Sequence, residues 1–359
     1  MTRIEKIRKR IENDETALLI TSDSNRLYAS GFNSSAGFML VSKSESYLYL
    51  DSRYYEMAKI AKEKGKLQPE TEVFLLEKKR REYIGDFCKS YNIKTLLCED
   101  RSLTVAEFKQ LEGETSGICK IDGMGSLIED CRICKDEDEI ANIKDAQKIT
   151  DMAFSHILGF ITPDVTETDV ALELEWFMRK NGSEGTAFET ICVSGTKSSL
   201  PHGKPENVKL GQGFLTMDFG AKVNGYCSDM TRTVCIGTPT DEMRIIYDTV
   251  LEAQEKAINE ICAGITGKRV DSAARDFIYS YGYKGCFGHS LGHSLGIDIH
   301  ESPNFSPNCD IEIPENAVLS VEPGIYTEGK YGVRIEDIVK ICTLGCENLT
   351  KSTKELIII

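Results

Sequence analysis

Short apolar runs alternate with longer mixed stretches through the first part of the chain. They predict a helix over residues 4–11, then strands over 17–21, 37–41 and 46–50. A helix over 54–64, a strand over 73–76, a helix over 80–91, a strand over 95–98 and a helix after Ser102 follow. Strands alternating with helices imply an α/β layer structure. Two glycines in Lys120-Ile-Asp-Gly-Met-Gly-Ser-Leu interrupt the periodic stretches and place the linker there, dividing the chain into domains 1–125 and 126–359. Beyond it, the acidic start Lys135-Asp-Glu-Asp-Glu-Ile suits a helix N-terminus running to about Phe160, before Pro163. Further helices are expected from Thr166 to Asn181, over 243–262 and over 270–281, with paired strands over 214–236 and 317–341. The second domain is therefore expected to be α+β. No repeat of fixed period is visible.

At 359 residues and 41% hydrophobic, the chain can bury two cores. Its net charge of -14 argues against nucleic acid or an anionic membrane surface as partner, since both require basic residues. No run of 18 apolar residues exists to span a bilayer. The N-terminal segment lacks a signal-peptide core, because Ala17 to Ile20 is too short. Thirteen cysteines form an odd, scattered set, which favours a reducing cytoplasm over a disulfide framework. The lone CxxC, Cys131 to Cys134, has no second pair and no nearby histidine, so packed thiols are the simpler reading.

Chemistry concentrates late in the chain. Four of the five histidines lie in two glycine-containing segments: His202 in Pro201-His-Gly203, and His289, His293 and His300 between Gly288 and Glu301. The fifth, His156, falls on a predicted helix and has no evident partner. Asp218, Asp229, Glu322 and Glu336 sit in apolar or Gly-rich strand sequence, where an unpaired charge is costly. Four converging carboxylates would repel one another, and two divalent cations cancel their formal charge.

Asn224-Gly225 signals a two-residue type I′ hairpin. With Val223 opposite Tyr226, Asp229 faces Gly220 and Asp218 faces Thr231. The two aspartates become diagonal neighbours on one face, about 7 to 8 Å apart at the backbone. For Glu322 and Glu336, an odd loop such as Gly329-Lys330-Tyr331 puts both on one face, and an even loop separates them. His293 is a candidate nitrogen ligand, with Gly292 permitting close backbone approach. The glycines at 288, 292 and 296 argue for an irregular loop feeding a strand over 296–300.

The segments LYASGF, LDSRYY and LIEDCRICKDEDEI, with FETICVSGTKSSLPHG, MDFGAKVNGYCSDMTRT, GHSLGHSLGIDIHE, SVEPGIY and GVRIEDIV, resemble the pita-bread metallopeptidases, in the aminopeptidase P and prolidase branch. The resemblance spans nearly the whole chain. It implies a creatinase/prolidase-like amino-terminal domain followed by a pita-bread catalytic domain. It further implies hydrolysis of the bond between an N-terminal residue and a following proline, by a hydroxide held between two metal ions. Asp218 would chelate one ion, Asp229 and Glu336 would bridge both, and His293 and Glu322 would hold the other. Glu322 would also relay a proton. His202, His289 and His300 match histidines that contact substrate or donate to the oxyanion, and Tyr326 and Arg334 match a supporting tyrosine and arginine. Asn25 stands where some members carry the Asp that partners that arginine. Family members are commonly homodimers, which is the expectation here.

An oxygen-rich ligand set with one nitrogen suits Mn²⁺, and accepts Co²⁺ or Zn²⁺. Two rivals share the fold: a metal-free amidinohydrolase of creatinase type, and a non-catalytic peptidase-like binding protein. Both typically lack part of the ligand set, whereas all five positions are intact here. A methionine aminopeptidase would not carry the large first domain.

Overall fold

A computed structural model describes residues 1–359. The chain forms two compact units, Met1–Arg132 and Ile133–Ile359. No helix is long and apolar enough to cross a membrane.

The first unit is built on a six-stranded sheet in the order Thr71–Leu75, Ser46–Leu50, Phe38–Val41, Thr16–Ile20, Thr95–Cys98, Lys120–Gly123. Thr16–Ile20 is buried at every position and pairs parallel to Thr95–Cys98 and antiparallel to Phe38–Val41. Leu19, Leu40, Ile84, Phe87, Leu96 and Leu111 join the sheet to the helices Arg80–Ser90 and Val105–Thr115.

Two features differ from the pattern-based reading. The segment expected to be a linker forms the edge strand Lys120–Gly123, parallel to Thr95–Cys98, and is followed by the helix Leu127–Arg132. Ile128 is fully buried, Tyr28 donates to the Cys131 carbonyl, and Arg132 donates to Asn25 Oδ1. These contacts hold the helix in the first unit, so the division expected at 125/126 falls after Arg132. The second difference is an unforeseen helix, Asp23–Ser30, capped by Ser22. Its Asn25 and Arg26 are buried, and the buried Glu99 carboxylate accepts from Ser22 N and Asn25 Nδ2, both at 2.8 Å. Asn25 is thus engaged inside the first unit.

The second unit has two halves. In one, helices Glu137–Ile157 and Glu167–Lys180 cover the sheet Met230–Ile236, Gly213–Phe219, Ile191–Ser194 through Ile149, Phe154, Leu174, Leu215 and Met217. Asp136 with Glu139, and Thr166 with Asp169, form capping boxes that start these helices where the acidic runs predict. In the other half, helices Asp241–Glu260 and Gly267–Ser280 cover a five-stranded sheet in the order Glu301–Phe305, Gly292–Ser294, Val318–Val321, Asp337–Ile341, Cys346–Asn348. Val250, Ala274, Leu319 and Val339 are among its fully buried residues. Every acidic candidate lies on or beside a strand of these two sheets.

Candidate metal centre

The Asn224-Gly225 turn adopts the positive φ values of a type I′ hairpin, 48° and 81°. Val223 pairs with Tyr226, Phe219 with Met230, and Asp218 with Thr231, which is the register expected. Gly220 is required opposite Asp229, since a Cβ there would lie 2.0 Å from the Ser228 carbonyl oxygen. For the second carboxylate pair, Val321 pairs with Asp337 and Gly324 with Arg334. That register carries Glu322 directly across from Glu336. The loop is odd, as joint use demands, but it comprises residues 328–330, because Thr327 pairs with Tyr331. The expected strand over 296–300 is instead a turn between Gly292–Ser294 and Glu301–Phe305. Gly296 N donates to the Asp298 carbonyl there, which bends the chain and takes the place of a ladder bond.

The carboxylates converge on His293. Ligand atoms of Asp229, His293 and Glu336 all lie within 4.8 Å of one another. His293 Nε2 is 3.5 Å from Asp229 Oδ2 and 3.5 Å from Glu322 Oε1. Its Nδ1 faces the Ser294 carbonyl at 3.2 Å, so the proton belongs on Nδ1 and the Nε2 lone pair points at the acids. Asp218 is held by Arg334 Nη2 at 2.6 Å. Asp218 Oδ1 and Glu336 Oε1 are buried without a hydrogen-bond partner.

Burial, and then the charges of Glu336, Asp218 and Glu322, hold Asp229 well above the usual carboxylate range. Glu336 is raised by burial and then by Glu322 and Asp218, and Glu322 is pushed up to about 8, chiefly by burial. Burial lowers His293 and favours the neutral imidazole that a metal ligand needs. Mutually repelling acids, two unbonded buried oxygens and a neutral nitrogen aimed at them form a donor set that fits divalent cations.

The remaining candidates fall into two kinds. His202 and His300 are exposed toward a cleft of about 910 Å³ that also takes in the five convergent residues. The His300 ring lies 4.5 Å from that of His293. His289 lines the same cleft, yet its Nδ1 faces the Ser290 carbonyl at 2.8 Å and its Nε2 meets Tyr326 OH at 3.1 Å. Both nitrogens are therefore engaged within the protein. This places His289 under Tyr326 on the wall of the cleft. Tyr326 in turn accepts from Arg334 Nη1 at 2.8 Å, and burial pushes His289 down to about 4, with Arg334 adding to the effect. His156 lies outside the cleft, bonded to Glu173 and stacked on Phe177.

Sequence reasoning passed over Thr231. Its hydroxyl donates to Glu336 Oε2 at 2.7 Å and accepts from Arg334 Nε at 3.0 Å, linking the arginine that holds Asp218 to a second acid. The hairpin register, which puts Thr231 opposite Asp218, carried that signal.

Residues 141–342 match the model of metallopeptidase family M24, and residues 3–134 match the creatinase/prolidase N-terminal domain. The chain belongs to metallopeptidase family M24. It is similar to the Xaa-Pro dipeptidase of Pyrococcus horikoshii, at 38% identity over 98% of this chain and 99% of the relative. Among solved structures, the Xaa-Pro dipeptidase from Bacillus anthracis matches with a TM-score of 0.92 and 38% identity over 99% of each chain. The X-Pro aminopeptidase from Thermotoga maritima matches at 0.91 and 38%, over 99% of this chain and 100% of that one. The fold of this M24 metallopeptidase is therefore that of a creatinase-type N-terminal domain followed by a pita-bread catalytic domain. Divalent metal ions are the cofactors of the family.

Proposed function

We propose that the chain is a cytoplasmic Xaa-Pro peptidase, of aminopeptidase P or prolidase type, with two divalent metal ions, most readily Mn²⁺. The observation that carries the reading is the convergence of Asp229, His293, Glu322 and Glu336, beside an arginine-held Asp218, in a chain similar to Xaa-Pro dipeptidases over nearly its full length. Asp218 would hold one ion, His293 and Glu322 the other, and Asp229 and Glu336 both. When bound, such ions offset the acids' charge, lower the pKa of coordinated water toward about 7 and polarise the carbonyl preceding proline. The oxygen-rich donor set suits Mn²⁺, with Co²⁺ or Zn²⁺ as substitutes.

The chain's own residues supply the rest. Ser320 donates to Glu322 Oε1 at 3.2 Å, which leaves Oε2 to take a proton from water and pass it to the leaving nitrogen. His202 and His300 face the cleft and donate to the carbonyl oxygen as charge builds on it. Arg334 fixes Asp218, and Tyr326 with His289 fixes Arg334.

Chelator-treated enzyme resupplied with Mn²⁺ is expected to cleave an Xaa-Pro dipeptide or an Xaa-Pro-Yaa tripeptide, and to leave an Xaa-Ala control intact. Equal cleavage of the Xaa-Ala control, or cleavage unaffected by chelation, would overturn the proposal. A creatinase-type amidinohydrolase is disfavoured by the complete ligand set. The reading includes a homodimer with a symmetric interface. Light scattering should give a mass of twice 40.1 kDa, and a fully active monomer at micromolar concentration would exclude it.

A further inference from the structure

One buried cation lies beside this site and is absorbed by none of the roles above. Lys135 is 3% exposed, and its backbone is anchored by donation to the Asn316 carbonyl. Its Nζ reaches Glu301 Oε2 at 3.1 Å and Ser294 Oγ at 3.4 Å. Ser294 Oγ donates onward to the Val318 carbonyl, leaving a lone pair for the ammonium. The other Glu301 oxygen accepts from Asp298 N at 3.2 Å and closes the turn between the two strands. Gly296 leaves room for this carboxylate, since a Cβ there would sit 2.8 Å from that oxygen and push it aside.

The position of the two contacts is what matters. Ser294 immediately follows His293, and Glu301 immediately follows His300. Ser294 pairs with Glu301 across the strands while His293 pairs with Asn304, so the ladder shifts register between His293 and Ser294. Such bulges re-aim side chains, and a slipped register turns a side chain to the opposite face. A buried ion pair seldom adds stability over an apolar pair of the same volume, so its effect is best sought in geometry.

We propose that the Lys135–Glu301 pair is a positioning device that pins this bulge and thereby sets the His300 ring against His293. The proposal rests on the peptidase reading for its effect on turnover, and on geometry alone for its effect on the segment. In the full-length protein, Lys135→Met should lower kcat about 10²-fold, the usual result of misplacing a catalytic group by about 1 Å. KM and bound metal should stay near wild type. In the chelator-treated variant, hydrogen exchange should accelerate in residues 292–305 and not across the rest of the second unit. The single change takes away the ammonium facing the buried Glu301 carboxylate, so Tm falls. Lys135→Met/Glu301→Leu should recover Tm while kcat stays low.

Recovery of kcat together with Tm in the double variant would reduce the pair to a stabilising contact and overturn the proposal. Unchanged exchange in residues 292–305, or kcat restored by saturating Mn²⁺, would do the same. Failure of the wild-type enzyme to cleave Xaa-Pro bonds would sink the peptidase reading instead, and the exchange result would then decide the pin by itself.

Discussion

Asp229→Ala is expected to abolish hydrolysis and to lower bound metal while leaving the fold intact. Asp229 is 4% exposed and shares a 4.8 Å cluster with His293 and Glu336, the one place where nitrogen and carboxylate donors from both halves of the unit meet. A ligand serving two ions at once removes a contact from each when it is lost. The metal-free fold should tolerate the change, because an ionised Asp229 is opposed by burial and by the charges of Glu336, Asp218 and Glu322. Alanine relieves that repulsion and leaves the hairpin register untouched, since the register is set by the Asn224-Gly225 turn and its ladder. Metal content after desalting, Tm and turnover together test the prediction. A variant holding both ions at near-normal turnover would refute the dinuclear assignment.

The parts of this site that could be read from sequence are those governed by local geometry. A type I′ turn leaves one register, so Asn224-Gly225 places Asp218, Asp229 and Thr231 without further information. The pairing of Glu322 with Glu336 was legible only as a parity rule. The turn that decides it, residues 328–330, has Gly329 as its sole strong signal and could slide by one residue. Elements held by buried polar groups were not legible. The helix Asp23–Ser30 buries Asn25 against the Glu99 carboxylate, distant in sequence, and Arg26 against the Thr21 and Ser34 carbonyls, so polar residues take up part of its buried face. The strand Lys120–Gly123 is a short polar edge that exists because Thr95–Cys98 offers it a parallel partner. Contacts far apart in sequence stayed hidden for the same reason: Lys135 meets Glu301 166 positions away. The two partners of His289, a carbonyl and Tyr326, were hidden too, because only the folded loop fixes them.

The histidines offer the sharpest separation of roles, because their surroundings differ in kind. His293 aims an unprotonated Nε2 at Asp229 and Glu322, whereas His202 and His300 stand in the cleft with exposed rings. His293→Ala should therefore lose metal and activity together, and added Mn²⁺ should restore part of both, since four carboxylates remain. His202→Ala and His300→Ala should keep the metal and lose about 10² to 10³ in kcat, the usual effect of removing one oxyanion donor. His289→Ala supplies the contrast. Its ring supports Tyr326 and Arg334, so its loss should loosen the arginine that holds Asp218 and act more weakly than loss of a direct donor. Metal content and kcat on the four purified variants decide the matter. Equal metal loss throughout would make all four histidines structural supports of the centre, and unchanged turnover in His202→Ala and His300→Ala would remove them from the chemistry.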